Sequence, residues 1–410
     1  MRLYIAIFYF FCTQLTFSQN NLYEFNRLMI KEIVYELSDD KYEGRQTGEK
    51  GGEKAGDYIY NYLNKIFKKY NNVDVYTQEF EFSVSHNPHL ESDTNVIKSA
   101  KNILCFIDNQ QEKTIVIGAH YDHLGYGSFG SRYLEENLLI HNGADDNASG
   151  VALGISLINI LYDSNKMYNY LFIAFDGEEM GLYGSSFFCK NPTLNLSDVR
   201  FMLNFDMVGK LNKNNELAIN GVGTSSQWKS LINGVNQNNQ LQLKFSESGI
   251  GPSDHSSFYL QDIPAIHFFT GQHEDYHKPS DDSDKLNYDG ILDILVFVED
   301  IIQSSSSMDY FDFQATKNDS EQTPKFSVTL GVMPDYLFSG TGMRIDGVSK
   351  GKTADKYAFL KGDVVIKMGS IDVVDMMSYM KALSQFEKGD NTIIKVVRED
   401  KEIEISVIFQ

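Results

Sequence analysis

The chain has 410 residues, with 36 Lys+Arg against 56 Asp+Glu, a formal net charge of −20, 42 % hydrophobic and 22 % charged residues. This composition is globular, not disordered, and such acidity excludes binding nucleic acid or anionic membranes by bulk charge. The seven prolines, without a collagen-like or heptad repeat, exclude fibrous classes, and the length suggests two or three domains at roughly 150 residues each.

Met1-Arg2 precedes an apolar run, Leu3 to Phe11, too short for the ~20 residues a membrane-spanning helix needs. With small residues at Thr16 and Ser18 it reads as a signal peptide over 1–18, which predicts export to the periplasm or the outside. Cys12 lies in that segment. An export route permits a disulfide between Cys105 and Cys189, while their apolar flanks equally suit buried thiols.

Leu22 to Leu37 and Gly52 to Tyr70 carry apolar residues at 3–4 spacing and predict helices. Val73 to Val84 alternates and predicts a strand. Short apolar strands follow at Asn102 to Ile107, Thr114 to Gly118, Leu171 to Phe175, Phe201 to Phe205 and Ala265 to Phe269. Asn147 is suited to cap a helix reaching Leu161, and Tyr288 to Ile302 predicts a long closing helix. Strands alternating with helices predict an α/β fold with a mostly parallel central sheet flanked by helices. That domain is expected over 19–306. A polar linker is expected over 307–325, and a small β-rich domain over 326–410. The last segment holds 11 Lys+Arg and 12 Asp+Glu, so almost all the net charge belongs to the residues before it.

Four motifs stand at expected strand ends of the larger domain. They are Gly118-Ala119-His120-Tyr121-Asp122, Gly143-Ala144-Asp145-Asp146-Asn147-Ala148-Ser149-Gly150, Phe175-Asp176-Gly177-Glu178-Glu179 and Asn204-Phe205-Asp206-Met207. A fifth, Tyr276-His277-Lys278-Pro279-Ser280-Asp281-Asp282, lies in a polar loop. Loops at the carboxyl ends of parallel strands converge on one crevice. Carboxylates crowded there repel one another unless a cation neutralises them. Imidazole and carboxylate donors suit zinc. Five protein donors exceed what one catalytic zinc takes and fit two zinc ions sharing a carboxylate. One acid must stay off the metals as general base, and Glu178-Glu179 offers one residue for each role.

These motifs resemble those of the di-zinc exopeptidase family, which includes secreted bacterial aminopeptidases, glutamate carboxypeptidase and glutaminyl cyclase. Tyr42-Glu43-Gly44-Arg45, with Gly48, Gly51 and Gly52, resembles that family's entry region. The resemblance implies His120 and Asp206 as ligands of one zinc, Glu179 and His277 as ligands of the other, and Asp145 as the bridging carboxylate. It implies Glu178 as general base and Asp122 as the partner that fixes the His120 tautomer. It implies an unusual backbone at Asp146. Tyr276 resembles a tyrosine that hydrogen-bonds the developing oxyanion. His123 and His141 are expected to be loop histidines, His255 to line the pocket, and His267 to be a core histidine. Asp281 and Asp282 are expected in a solvated turn.

The implied activity is hydrolysis of the N-terminal peptide bond of peptides with a free amino group, using two Zn2+ ions. A carboxypeptidase, a glutaminyl cyclase and a non-catalytic peptide-binding protein on the same fold are the alternatives. In the tail, Leu330-Gly331-Val332, Gly342-Met343-Arg344-Ile345-Asp346-Gly347-Val348 and Lys361-Gly362-Asp363-Val364-Val365 resemble a bacterial PDZ domain, with a helix over Val374 to Leu383. Tyr357-Ala358-Phe359-Leu360 departs from the usual Ala-Gly-Leu of that family. The resemblance implies capture of a peptide C-terminus by a glycine loop at Thr329 to Val332, or a packing role alone.

Overall fold

Thr114–His120 (β3) and Asn169–Phe175 (β4) are buried along their whole length. A half-buried strand would alternate, so these two must be covered on both faces. The computed structural model describes residues 24–84, 96–133, 137–316, 328–334, 338, 340–348, 351–374, 376–399 and 401–409. The expected signal peptide and residues 317–325 of the expected linker lie outside them. The chain divides into two units, which meet in sequence between Ala315 and Thr316.

The first unit is a mixed eight-stranded sheet. Its other strands are Val73–Val84 (β1), Val96–Ile107 (β2), Val199–Phe205 (β5), Glu216–Asn220 (β6), Gln242–Ser246 (β7) and Ala265–Phe269 (β8). The strand order is β1-β2-β4-β3-β5-β8-β6-β7. Only the centre, β4-β3-β5-β8, is a run of parallel neighbours. β1 pairs antiparallel with β2, β2 with β4, and β6 with β8, while β6 and β7 are parallel. The sheet is therefore mixed, where a mostly parallel one was expected. Period-2 patterning reports which face a residue occupies, not which way the neighbouring strand runs.

Alternate residues of the central strands feed two cores. Ile115, Ile117, Tyr170, Phe172, Phe201 and Leu203 join the larger one, with helices at 24–37 (α1), Lys50–Phe67 (α2), Gly150–Ser164 (α3), Trp228–Asn239 (α5) and Tyr288–Ser305 (α7). Val116, Leu171, Ile173, Phe175 and Met202 face the other way, toward Phe188 of Tyr183–Lys190 (α4) and Phe258 of His255–Tyr259 (α6). Cys105 and Cys189 are separate buried thiols. Asn147 was expected to cap α3; the cap position is Ser149, and Asn147 lies in the turn before it, where its side chain accepts from the Gly150 amide at 3.0 Å.

Residues 308–314 dock on the first unit. The Phe311 ring lies 4.6 Å from Trp228 and 4.9 Å from Phe201. Asp312 accepts from the Ser225 hydroxyl at 2.6 Å and the Ser226 amide at 2.9 Å, and the Gln314 amide donates to the Thr224 carbonyl at 2.8 Å.

The second unit is an antiparallel sheet of Val332–Pro334 (β9), Met343–Val348 (β10), Val364–Met368 (β11), Ile371–Asp372 (β12), Asn391–Arg398 (β13) and Lys401–Ile408 (β14). Its order is β14-β13-β11-β10-β9, with β12 beside β11. Helices Thr353–Lys356 (α8) and Met376–Leu383 (α9) accompany it, and Leu330, Ile345, Val365, Ile394 and Val407 fill its own core. The buried Asp363 takes both ends of the Arg398 fork, at 2.6 and 2.7 Å, and accepts from the Leu360 amide at 2.9 Å. This closes the turn that leads into β11.

Phe311→Ala should destabilise the first unit by about 1–2 kcal/mol, the value of one partly buried aromatic ring. Thermal unfolding of the full chain checks this. A melting temperature equal to that of the native protein would mean that the 308–314 segment is not docked in solution.

Candidate metal centre

The parallel centre of the sheet brings its carboxyl ends to one edge, and four motif segments leave the strands there. His120 is the last residue of β3 and pairs with Phe175, the last of β4. Glu178 and Glu179 follow β4, Asp206 follows β5, and the loop after β8 carries His277. The turn Ala144–Ser149 delivers the Asp145-Asp146 pair ahead of α3.

Two donor groups form. In the first, ligand atoms of His120, Glu178 and Asp206 lie within 4.8 Å of one another. His120 Nε2 is 3.3 Å from Asp206 Oδ1 and 3.4 Å from Asp146 Oδ1. In the second, His123, Asp146 and Glu179 come equally close. His277 Nε2 joins that group, 3.1 Å from Asp146 Oδ2 and 3.2 Å from Glu179 Oε2. Asp146 thus turns one carboxylate oxygen toward each group.

Asp145, expected between the groups, points elsewhere. Its Oδ1 accepts from the Gly209 amide at 2.6 Å and the Ser149 hydroxyl at 3.0 Å, and its Oδ2 lies 3.0 Å from His273 Nε2. Adjacent residues on a turn face different directions, and the pair Asp-Asp does not carry the phase. The peptide bond between Asp146 and Asn147 is cis.

Asp122 binds more than the His120 ring. His120 Nδ1 is 3.2 Å from the Asp122 carbonyl and 3.6 Å from its carboxylate. That carboxylate accepts from the Glu178 amide at 3.0 Å, the Glu179 amide at 3.3 Å and the Thr47 hydroxyl at 3.0 Å. It therefore ties the β4 loop to the end of β3. The Tyr276 ring stacks on His277 at 3.9 Å, with the Arg132 guanidinium 5.7 Å from its centre. His277 itself sits at φ 55°, and Met207, just after Asp206, also at φ 55°. Non-glycine residues held in the left-handed region cluster where geometry is over-determined.

His123, expected as a loop histidine, enters the second group, with Nδ1 2.7 Å from Glu179 Oε1. Its spacing of three from His120 is the only signal the sequence offered. His141 is bonded to Ser131 at 2.8 Å. His255 and His267 stack on each other at 5.0 Å, both buried. Asp281 is not in a solvated turn: it is fully buried and accepts from the Asp145 and Asp146 amides. Asp282 stays partly exposed.

Without a cation, protons must balance these charges. Burial pushes Glu178 well above the usual carboxylate range, against the pull of His120 and reinforced by Asp206, Asp254 and Glu179. Burial likewise lifts Asp176 and Asp254 to about 7 and Asp281 to about 6. Burial opposes charge on His277, but Glu179 and Asp146 outweigh it and raise the ring to about 10. The same competition raises His120, chiefly through Asp206. Burial would raise Glu179 too, yet His277 and His123 hold it near 2.

These shifts give a signed expectation. Groups with raised pKa keep protons in the folded chain that the unfolded chain has released, so their contribution to stability falls as pH rises through the folded values. His255 and His267, pushed down by burial from an ordinary 6.5, act oppositely only below that value. Glu179 matters only under strongly acid conditions. The chelator-treated protein should therefore melt at a lower temperature at pH 9 than at pH 7, with the difference shrinking when zinc is added. A metal-free melting temperature that is flat or rising over that interval would contradict these assignments.

Residues 102–300 match Peptidase family M28. The chain is 29 % identical over 197 residues to Aminopeptidase YwaD of Bacillus subtilis, covering 45 % of this chain and 38 % of that one. It thus spans well under half the length of this curated relative. Its fold is similar to that of a Zn-dependent exopeptidase from Parabacteroides distasonis, with TM-score 0.56, 18 % identity and coverage of 67 % and 97 %. A glutaminyl cyclase from Bacteroides thetaiotaomicron gives TM-score 0.54, 17 % identity and coverage of 67 % and 97 %. The family match thus covers just under half of the chain, the part that carries the strand-end donor groups, and the fold is similar to that of the Parabacteroides exopeptidase.

Proposed function

We propose that the chain is a di-zinc aminopeptidase, a hydrolase that removes the N-terminal residue of peptides. One observation carries this reading: the Asp146 carboxylate offers one oxygen to each of two donor groups, the first of which also includes Glu178. The name of the Bacillus relative and the zinc dependence of the structural neighbour support it.

The donor set is imidazole nitrogen and carboxylate oxygen, which fits zinc. His120 and Asp206 would hold one ion, Glu179 and His277 the other, and Asp146 both. When bound, the pair of ions supplies Lewis acidity and a water acidified toward neutral pH. Glu178, lifted by burial, takes the proton of the attacking water and passes it to the leaving amine. Asp122 holds the backbone of that glutamate through its amide. Tyr276, alongside His277, is assigned as hydrogen-bond donor to the developing oxyanion. The neutral α-amino group of a substrate would suit such a centre, which favours the first peptide bond. We assign the chain to an exported location on its N-terminal segment. The second unit we assign as a PDZ-type peptide carrier, because Gly331 (φ 77°) precedes β9, the strand that ends the sheet order.

Glu178→Gln should keep both metals and lose about 10²–10⁴-fold in turnover of an aminoacyl anilide. Asp146→Ala should lose metal as well and fall below it, whereas Asp145→Ala should retain more metal than Asp146→Ala. Zinc content and anilide turnover measured together decide this. One zinc per chain with cyclisation of N-terminal glutamine would favour the cyclase reading, and near-full activity of Glu178→Gln under zinc-replete conditions would remove the base assignment.

Removing residues 316–410 should raise KM for a decapeptide and leave the kinetics of a single-residue anilide unchanged, since a carrier acts only on local concentration. An equal loss on both substrates would defeat the carrier reading.

A further inference from the structure

The turn that presents Asp146 is held by two buried side chains remote from it in sequence. Arg45 is fully buried, and its guanidinium donates to the backbone carbonyls of four residues. Nε donates to Tyr121 at 2.7 Å, Nη1 to Leu37 at 2.7 Å and Asn142 at 2.6 Å, and Nη2 to Gly143 at 2.8 Å. Arg45 also accepts at its own carbonyl from the His123 amide at 3.2 Å. Its backbone lies at φ 50°, after Glu43 at 51° and Gly44 at 69°, a bend that few sequences adopt without compensation.

Asp281 grips the same turn through its amides. One oxygen, Oδ2, accepts from the Asp145 amide at 2.9 Å and the Asp146 amide at 3.1 Å. The Asp281 carbonyl accepts from the Ala144 amide at 3.0 Å. Carbonyls of 142 and 143 thus go to Arg45, and amides of 144, 145 and 146 go to Asp281. Between them Gly143 sits at φ 53°, where an added Cβ would lie 2.2 Å from the Asp146 carbonyl and 2.5 Å from the His123 ring.

We propose that Arg45 and Asp281 are positioning residues for the shared carboxylate: they clamp the turn 142–146 so that Asp146 presents one oxygen to each donor group. The proposal rests on the two-ion reading above. Asp146 faces Asp206 and Glu179 across the site, and like-charge repulsion would displace a loosely held turn before any ion arrived. A guanidinium suits the task because its planar fork spans several acceptors at once, which an ammonium does not. Burial pulls the Arg45 pKa down to about 10, so the group stays charged at neutral pH, helped by Asp146 and Asp281.

The test compares the full chain with Arg45→Lys, Asp281→Asn and Asp281→Ala. Zinc affinity is read by chelator competition, the ligand field by the absorption spectrum of the cobalt(II)-loaded protein, and folding by thermal melting in chelator. Partners outside the ligand set typically contribute 10–100-fold in metal affinity. Asp281→Ala should lose about 100-fold, and Asp281→Asn about 10-fold because the amide oxygen still accepts. Arg45→Lys should lose about 10-fold and shift the cobalt bands. If alanine prevents folding, Asp281→Asn and Arg45→Lys carry the measurement. Variants that melt earlier yet keep native zinc affinity and an unchanged cobalt spectrum would overturn the proposal, since the pair would then be scaffold alone. A native chain that takes up fewer than two ions would instead overturn the two-ion reading, and the clamp with it.

Discussion

Carboxylates that face one another in a buried crevice govern the first unit. Asp146 and Asp206 are buried there, Glu178 and Glu179 are largely covered, and Asp176 and Asp254 are buried close behind. Removed from water, such groups demand either protons or a multivalent cation. The raised values of Glu178, Asp176 and Asp254 are the proton solution. The arrangement of imidazoles around Asp146 and Glu179 is what a cation solution requires.

Acidic side chains divide into two kinds of work. Some present oxygens to the crevice. Others accept backbone amides and hold the loops that carry the first kind. Asp122 joins the β3 and β4 loops through the amides of Glu178 and Glu179. Asp281 and Asp145 do the same for the turn before α3 and for Gly209. A charged acceptor makes stronger bonds to amides than a neutral one, so these loops keep their shape although they lie outside the sheet. Among its described residues, the second unit buries a single carboxylate, that of Asp363. Its buried Asp363 is paired with Arg398 from the end of β13, and its core mixes aliphatic side chains with Phe359, Tyr379 and Phe409.

Much of the architecture was legible. β1 and β8 have the expected bounds, and the central strands differ by a residue or two at their ends. Apolar runs bounded by polar loops carry that information locally. Strand direction did not follow: β2 runs antiparallel to its inner neighbour, as does β6, a strand that was not expected at all, because the connections, not the strand residues, set direction. The stretch from 307 to 315 was counted with the linker because polar segments flank it, while Phe311 is placed by Trp228, far away in the chain.

For the site, the sequence by itself determined the donor types and their placement at strand ends, since apolar strands followed by His, Asp or Glu bring those residues to one edge once the strands are parallel. Only the tertiary structure decided which of Asp145 and Asp146 faces the crevice, that His123 stands beside Glu179, and that Arg45 and Asp281 are buried supports rather than surface charges. The physical reason is the same in each case. A turn has no fixed period, so the direction of its side chains is set by whatever accepts and donates to its backbone, and here those partners, Arg45 and Asp281, lie far from the turn in the chain.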